Sequence, residues 1–341
     1  MTRPPDLTDD YLWDPASSPS PDVQDLERRL EPLKLEPAET PLMWPAEKKV
    51  RSRALRWTYR LAAAAAVFLA TGWAASAWKW SWPAGQAWTM QMESASSSAA
   101  GQLAIGSALD LPDATRARVS IARIGTMHIE GGARVTLRYT QGTRHRLALE
   151  RGTVRVRTWA PPGSLLFQTP AGEVIDLGCE FDLTADESRT ILRVRSGWVQ
   201  LVNGIDEVLV PAGAASEMRR DRAPGVAVFE DARPEFAAAV RALEAGTGDR
   251  DAHLTAIVSS ARARDVYTLL TLARVDVAGR DRLLTAAADL WPPPPGVTVI
   301  GILRGDTDGF WRWRETLPLP PPKSWLRNWR DALPAWLAGR N

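Results

Sequence analysis

The chain has 341 residues, a length typical of about two or three domains. Its net charge of +2 gives no strong general attraction for a polyanion, so no nucleic-acid partner is expected. Its single cysteine excludes an internal disulfide, and with three scattered histidines it makes a zinc site improbable.

Residues 1–47 form an acidic, proline-rich segment. They carry eleven acidic side chains, four basic ones and nine prolines. Because they hold few apolar groups that could form a core, we predict a largely disordered cytoplasmic tail. A short helix is expected near residues 21–31 within it. Ser20 can cap this helix, Pro21 suits its first position, and Pro32 ends the helical spacing.

Apolar side chains make this short helix a candidate contact for a cytoplasmic partner. A helix of about ten residues is marginal alone in water, but it can become ordered in a partner's groove. Large side chains upstream would add anchors of the kind found at binding hot spots. The predicted contact residues are Tyr11, Leu12, Trp13, Val23, Leu26 and Leu30. The alternative is a solvated tail that acts as a spacer.

Residues 57–82 are predicted to be a transmembrane helix. The run from Leu61 to Ala77 has 17 mostly apolar residues, about enough to cross a hydrocarbon core of roughly 30 Å. A cleavable signal would lie nearer the N-terminus, so the segment is expected to be retained. The alternative is an alanine-rich helix buried in a soluble protein.

The charges that flank this segment predict its orientation. Six lysines and arginines lie between residues 48 and 60, and by the positive-inside rule they keep the N-terminus in the cytoplasm. The expected location is the inner membrane, with a single pass through the lipid bilayer and an exported, periplasmic C-terminal region.

A linker and an all-β domain are predicted next. Residues 83–100 begin with Pro and Gly and end in a Ser/Ala run, which is typical of a linker. Over residues 101–222 apolar and polar residues alternate between turn-forming residues, as in β-strands. A short motif recurs around Gly152 and Gly197, with a looser copy at Gly125. Such repeats suit a roll, a solenoid or a sandwich of short strands.

Several motifs of the β region stand in a distinctive order: GTVRV, TPAG, DLGCEF, GWV and AG. In order and spacing they resemble the FecR-like domain, over about residues 100–218. Cys179 stands where that family has a threonine, and a buried cysteine packs as a small hydrophobe. The motif residues, to which we assign a structural role, are Gly152, Val154, Thr169, Pro170, Gly172, Gly178, Cys179, Phe181, Gly197, Val199 and Gly213.

This resemblance implies a membrane-anchored regulator of the anti-sigma type. FecR-like proteins hold a sigma factor on the cytoplasmic side and receive an envelope signal through the β-domain. The implied partners are a sigma factor or other cytoplasmic regulator, and an envelope protein such as an outer-membrane receptor. The family's usual helical anti-sigma domain is absent from residues 1–47, which leaves residues 11–35 as the candidate contact. The alternative is an envelope-anchored structural or binding protein that serves as a scaffold or a glycan- or protein-binding module.

Residues 234–341 are predicted to be helical. Apolar residues at helical spacing mark four short helices before the sequence WPPPPG, which indicates antiparallel hairpins of a HEAT-like or similar kind. The tail that follows interleaves Trp and Arg, which fits packing of a terminal helix or contact with a membrane surface. The expected fold class is therefore multidomain: a single transmembrane helix, an all-β FecR-like domain and an all-α C-terminal region. With no motif for catalysis, we predict no enzyme, no catalytic residue, no cofactor and no metal.

Overall fold

The computed structural model describes residues 18–34, 67, 71, 81–94 and 97–319. The chain divides into two compact units, Met1–Phe68 and Leu69–Asn341. In the first unit, helix α1 spans Pro21–Leu30 and a 3-10 turn follows at Glu31–Leu33.

Proline begins α1 because its fixed φ suits a first helical turn, where its missing N–H is not needed. Ser20 before it has the extended backbone of an N-cap, although its side chain makes no capping hydrogen bond. Asp25 forms ion pairs with Arg28 and Arg29, one turn further along the helix, at 3.2 and 3.0 Å. No residue of α1 is buried among the described residues.

The second unit holds a β-domain, and its described residues form 15 strands in one hydrogen-bonded set. The strands are β1 Trp88–Ser94, β2 Ser98–Leu103, β3 Ala108–Asp110, β4 Thr115–Ile121, β5 Gly125–Ile129, β6 Arg134–Gln141, β7 Arg144–Thr158, β8 Leu165–Thr169, β9 Gly172–Asp176, β10 Glu180–Ala185, β11 Arg189–Ser196, β12 Trp198–Val202, β13 Glu207–Pro211, β14 Ala214–Arg219 and β15 Val228–Phe229.

The long strand β7 belongs to two layers of this domain. Its first half pairs with β6 and, in parallel, with β8. Its second half pairs antiparallel with β5 and β10. One layer runs β3-β6-β7-β8-β9-β12-β13, and the other runs β2-β1-β4-β5-β7-β10-β11-β14-β15.

The core of the β-domain lies between these two layers. Phe167 of β8 and Phe181 of β10 belong to different layers, yet their rings meet edge to face with centroids 6.1 Å apart. Both side chains are fully buried. Buried and exposed residues alternate along β11, as expected for a strand with one face toward the core. The β-domain is therefore a two-layered sandwich.

Gly152 lies where β7 passes from one layer to the other. Its φ is +92°, and a Cβ atom there would lie 2.3 Å from the Cα of Ala133. Glycine meets both demands, since it tolerates positive φ and lets two backbones approach closely.

Six further helices follow the β-domain in the described residues. They are α2 Pro234–Ala245, α3 Arg250–Ser260, α4 Val266–Val275, α5 Arg280–Leu290, α6 Val299–Leu303 and α7 Thr307–Glu315, with a 3-10 turn at Ala263–Asp265. They pack on the β-domain: the Tyr267 hydroxyl donates to the carbonyl of Leu209 at 2.7 Å, and the Thr268 hydroxyl donates to that of Ala227 at 2.7 Å.

The predicted fold class needs correction. Crossing a bilayer takes about 20 residues of apolar helix, and no helix in the described part is long and apolar enough to do so. The longest described helix, α2, has 12 residues. Trp82, the predicted end of the transmembrane segment, instead bridges Gly142 of the β-domain through two backbone hydrogen bonds of 2.9 and 3.0 Å. Most of residues 57–82 lie outside the described residues.

The segment predicted as a linker also differs. Strand β1 and the start of β2 fall within residues 83–100, and they pair with each other from Trp88 to Leu103. Trp88 is fully buried, and its Nε1 donates to the hydroxyl of Thr140 at 3.1 Å. Backbone pairing and the buried side chain of Trp88 therefore order a segment whose local composition predicts a linker.

Replacing Gly152 should test the passage of β7 between the layers. Gly152→Ala adds a Cβ in a strained conformation against Ala133, so we expect a loss of about 2–5 kcal/mol in unfolding free energy. Gly142→Ala is the matched control: its φ is +59°, and its added Cβ would meet nothing within 4 Å. The control should lose about 1 kcal/mol. Urea unfolding of both variants measures the difference, and equal losses would contradict this account.

Candidate functional site

The first candidate site is the apolar stripe of α1, formed by Val23, Leu26 and Leu30. Their spacing places the three side chains on one face of the helix. Leu26 is 57% exposed and Leu30 is 48% exposed. Both leucines thus present apolar surface to solvent within the described part of the chain. The predicted upstream contacts Tyr11, Leu12 and Trp13 lie outside the described residues.

The second candidate site is a groove in the other unit, which we call the arginine groove. It lies between strands β11 and β14, the segment 222–232 and helix α2, and it has a volume of about 880 Å³. Five arginines and three glutamates line it, a charge of 5 − 3 = +2 with all of them ionised. The charged lining residues are Arg189, Arg193, Glu217, Arg219, Arg222, Glu230, Arg241 and Glu244.

The arginines on the strand side of the groove are paired with acids. Arg189 pairs with Asp186 at 2.9 Å. Arg193 lies 3.5 Å from Glu230, and Arg219 lies 3.6 Å from Glu217. These side chains are between 38% and 61% exposed, so each pair contributes little stability, about 0–1 kcal/mol.

The other two arginines, Arg222 and Arg241, lie on the helix side near Glu244 but make no ion pair with it. The Arg222 guanidinium donates to the backbone carbonyl of Glu244 at 3.1 Å. Among the described residues, neither Arg222 nor Arg241 forms an ion pair. Since a guanidinium has five N–H donors, most of the donors on these two side chains have no acceptor among the described residues.

Glu244 lies on the last turn of α2, beside these two arginines. One of its carboxylate oxygens accepts a hydrogen bond from the backbone N–H of Val226 at 2.5 Å. Burial raises the pKa of Glu244 to about 7; the Val226 hydrogen bond and the positive charge of Arg222 oppose that rise, and Glu217 adds to it. The charge of the groove therefore changes close to neutral pH.

Several residues singled out by the resemblance to the FecR-like domain lie at turns or in the core of the β-domain. Thr169 closes its turn by donating to the carbonyl of Gly172 at 2.8 Å, and it accepts from the Thr190 hydroxyl at 2.7 Å. Gly197 has φ +78°, and a Cβ there would lie 2.9 Å from the carbonyl oxygen of Gly178. The fully buried motif side chains are Val154, Cys179, Phe181 and Val199. Pro170 accepts from Arg220 at 2.8 Å, and Gly213 has φ +79°.

A buried carboxylate organises the DLGCEF motif. Asp176 is fully buried and accepts from the backbone N–H groups of Gly178 and Cys179, both at 3.0 Å. The Thr158 hydroxyl and the Cys179 thiol also donate to it. Burial raises the pKa of Asp176, against the effect of these hydrogen bonds. Cys179 is thus a hydrogen-bond donor to Asp176 as well as a buried side chain.

The arginine groove was not predicted from the sequence. One signal was present: Arg189 and Arg193 alternate with buried residues along β11, which places them on one face of the strand. The other arginines come from β14, its following segment and α2. In the described part of the chain, no group of three or more His, Cys, Asp or Glu could hold a metal ion.

Comparison with known proteins gives a distant likeness. No protein-family model matches the chain, and no curated protein matches its sequence. Two crystal structures of candidate anti-sigma factors from Parabacteroides distasonis, at 1.65 and 2.50 Å resolution, are similar to part of it. The first has 14% identity and a TM-score of 0.32 over 39% of this chain; the second has 15% and 0.28 over 44%. In each case the match spans 63% of the other protein's chain.

The titration of Glu244 predicts how stability depends on pH. Its pKa of about 7 in the folded protein exceeds the ordinary value of 4.5, so the stability it contributes below pH 4.5 is lost as pH rises through 7. Glutamine stays neutral and keeps the acceptor for Val226. We therefore expect Glu244→Gln to stabilise the protein at pH 8 by about 1–3 kcal/mol, and by less than about 0.5 kcal/mol at pH 4.5.

Urea unfolding at the two pH values measures this difference. Glu187→Gln, at an exposed position between β10 and β11, is the control for loss of one carboxylate. An equal effect of Glu244→Gln at both pH values would contradict the prediction.

Proposed function

We propose that this chain is a FecR-like regulator of the anti-sigma type, which contacts a sigma factor through α1. The observation that carries the proposal is the apolar stripe of α1, where Leu26 and Leu30 are 57% and 48% exposed on a helix without buried residues. A helix of about ten residues is marginal in water, and insertion into a partner's groove supplies the missing burial.

Further support for the proposal comes from the β-domain. The motifs that resemble the FecR-like domain lie in the order and spacing of that family, and they surround the turns and core of the sandwich. In this proposal the β-domain receives the signal from an envelope protein such as an outer-membrane receptor. The predicted location at the inner membrane stays a prediction, which fractionation of cells that produce the full chain would test.

Charge also fits the proposed contact of the N-terminal segment. Residues 1–47 carry eleven acidic side chains against four basic ones. An acidic segment gains association rate when it approaches a basic surface, such as the DNA-facing surface proposed here for the sigma factor. Tyr11, Leu12 and Trp13 are the further contacts proposed upstream of α1.

A second candidate function is that of an envelope binding protein whose N-terminal segment has no regulatory role. The arginine groove favours it, because a charged groove with a volume of about 880 Å³ has the size of a ligand site. Deleting residues 1–47 separates the two functions. A binding protein should tolerate the deletion, whereas a regulator should lose control of its target genes.

The contact of α1 is tested by capture of sigma factors from the same genome on the immobilised full chain. Leu26→Ala with Leu30→Ala should weaken capture by about tenfold or more, since buried interface anchors typically contribute about 1 kcal/mol or more each. Alanine is the best helix former, so α1 itself should persist.

The matched control changes the polar side of α1. Asp25→Asn with Arg28→Gln removes an ion pair on the opposite face, keeps the net charge and the stripe, and should leave capture within about twofold. If the full chain captures no sigma factor, or if both double variants lose capture equally, the proposed contact is wrong.

A further inference from the structure

The arginine groove has the features of a binding site for a negatively charged partner. Its helix side presents Arg222 and Arg241, which form no ion pair among the described residues although Glu244 lies beside them, whereas its strand-side arginines are already paired. Burying or pairing cations of this kind is favourable when a carboxylate forms charge-assisted hydrogen bonds to the guanidinium. On its helix side, the positive charge of the groove is therefore not neutralised by an ion pair.

Part of the groove lining is apolar. Ile191 and Val228 line the groove from the strands, and Ala237 lines it from α2. A groove whose lining combines apolar side chains with arginines suits a ligand that has both apolar and acidic groups. A peptide with spaced carboxylates has this composition.

We propose that the arginine groove binds an acidic peptide segment of a partner protein, whose carboxylates pair with Arg222 and Arg241. The inference goes beyond the proposed function, because it concerns a different surface and does not require α1 or a sigma factor.

Other anions fit this surface less well. Glu217 and Glu230 lie among the arginines, and they would repel a nucleic acid or any ligand with unbroken negative charge. A membrane surface is broad and flat, whereas the cations without partners lie along a concave groove. Separate carboxylates on a peptide can reach the arginines and avoid the glutamates.

Glu244 gives the proposed site a dependence on pH. It lies next to Arg222 and one turn after Arg241, while Glu217 faces it from β14. Protonation of Glu244 changes the charge of the groove from +2 to +3, because five arginines then face two ionised glutamates. An acidic peptide should therefore bind more tightly at pH 6 than at pH 8.

The test uses the full chain and a fluorescein-labelled ten-residue peptide of alternating glutamate and alanine, followed by fluorescence anisotropy. A second peptide, with glutamine in place of every glutamate, controls for charge. We expect the glutamate peptide to bind at least about tenfold more tightly than the glutamine peptide. Arg222→Gln with Arg241→Gln should weaken binding of the glutamate peptide by about tenfold.

A matched double variant distinguishes the groove from general surface charge. Arg118→Gln with Arg157→Gln removes two exposed arginines from β4 and β7, which do not line the groove. It should leave binding within about twofold. Glu244→Gln should bind at pH 8 as tightly as the unmodified chain binds at pH 6. Unfolding temperatures of all variants check that each is folded.

Three results would overturn the proposal. The first is equal loss of binding in the two double variants, which would indicate a non-specific charge effect. The second is equal affinity for the glutamate and glutamine peptides. The third is binding to phosphatidylglycerol vesicles or single-stranded DNA without binding to the glutamate peptide. None of these results bears on capture of a sigma factor by α1, so failure here is distinct from failure of the proposed function.

Discussion

The β-domain depends on strand β7, which forms part of both of its layers. Because the halves of β7 pair with different neighbours, a register shift in this strand would move the side chains of both layers at once. The close approach of Gly152 to Ala133 sets the point where the strand changes layer. Gly152, which belongs to the short repeat in the sequence, thus lies at the point where β7 joins the two layers.

The C-terminal helices are tied to this sandwich by an aromatic cluster. Trp198 of β12 and Tyr267 of α4 meet edge to face with centroids 5.9 Å apart. The Arg314 guanidinium lies 5.7 Å from the Trp198 ring and 5.3 Å from the Tyr267 ring, within cation–π distance of both. These helices therefore pack against the strands within one compact unit.

The elements that could be predicted follow from local sequence pattern. The features that could not be predicted depend on contacts between residues far apart in the chain. The strands with regular alternation, such as β11, and the short C-terminal helices follow directly from spacing of apolar residues. Strand β1 does not, because Trp88 is anchored by Thr140, 52 positions away along the chain. The groove was missed for a similar reason: its arginines lie on separate elements, and only the tertiary fold gathers them. The prediction of a transmembrane segment relied on apolar composition, yet Trp82 at the end of that segment pairs with the β-domain.

The buried position of Cys179 has a practical consequence for studying this protein. It is the single cysteine of the chain, it is fully buried, and its thiol is engaged by Asp176. Alkylating reagents reach exposed thiolates far more readily than buried thiols. A cysteine introduced on α1 or at the groove rim would therefore accept a dye or spin label selectively in the native protein, with Cys179 left in place.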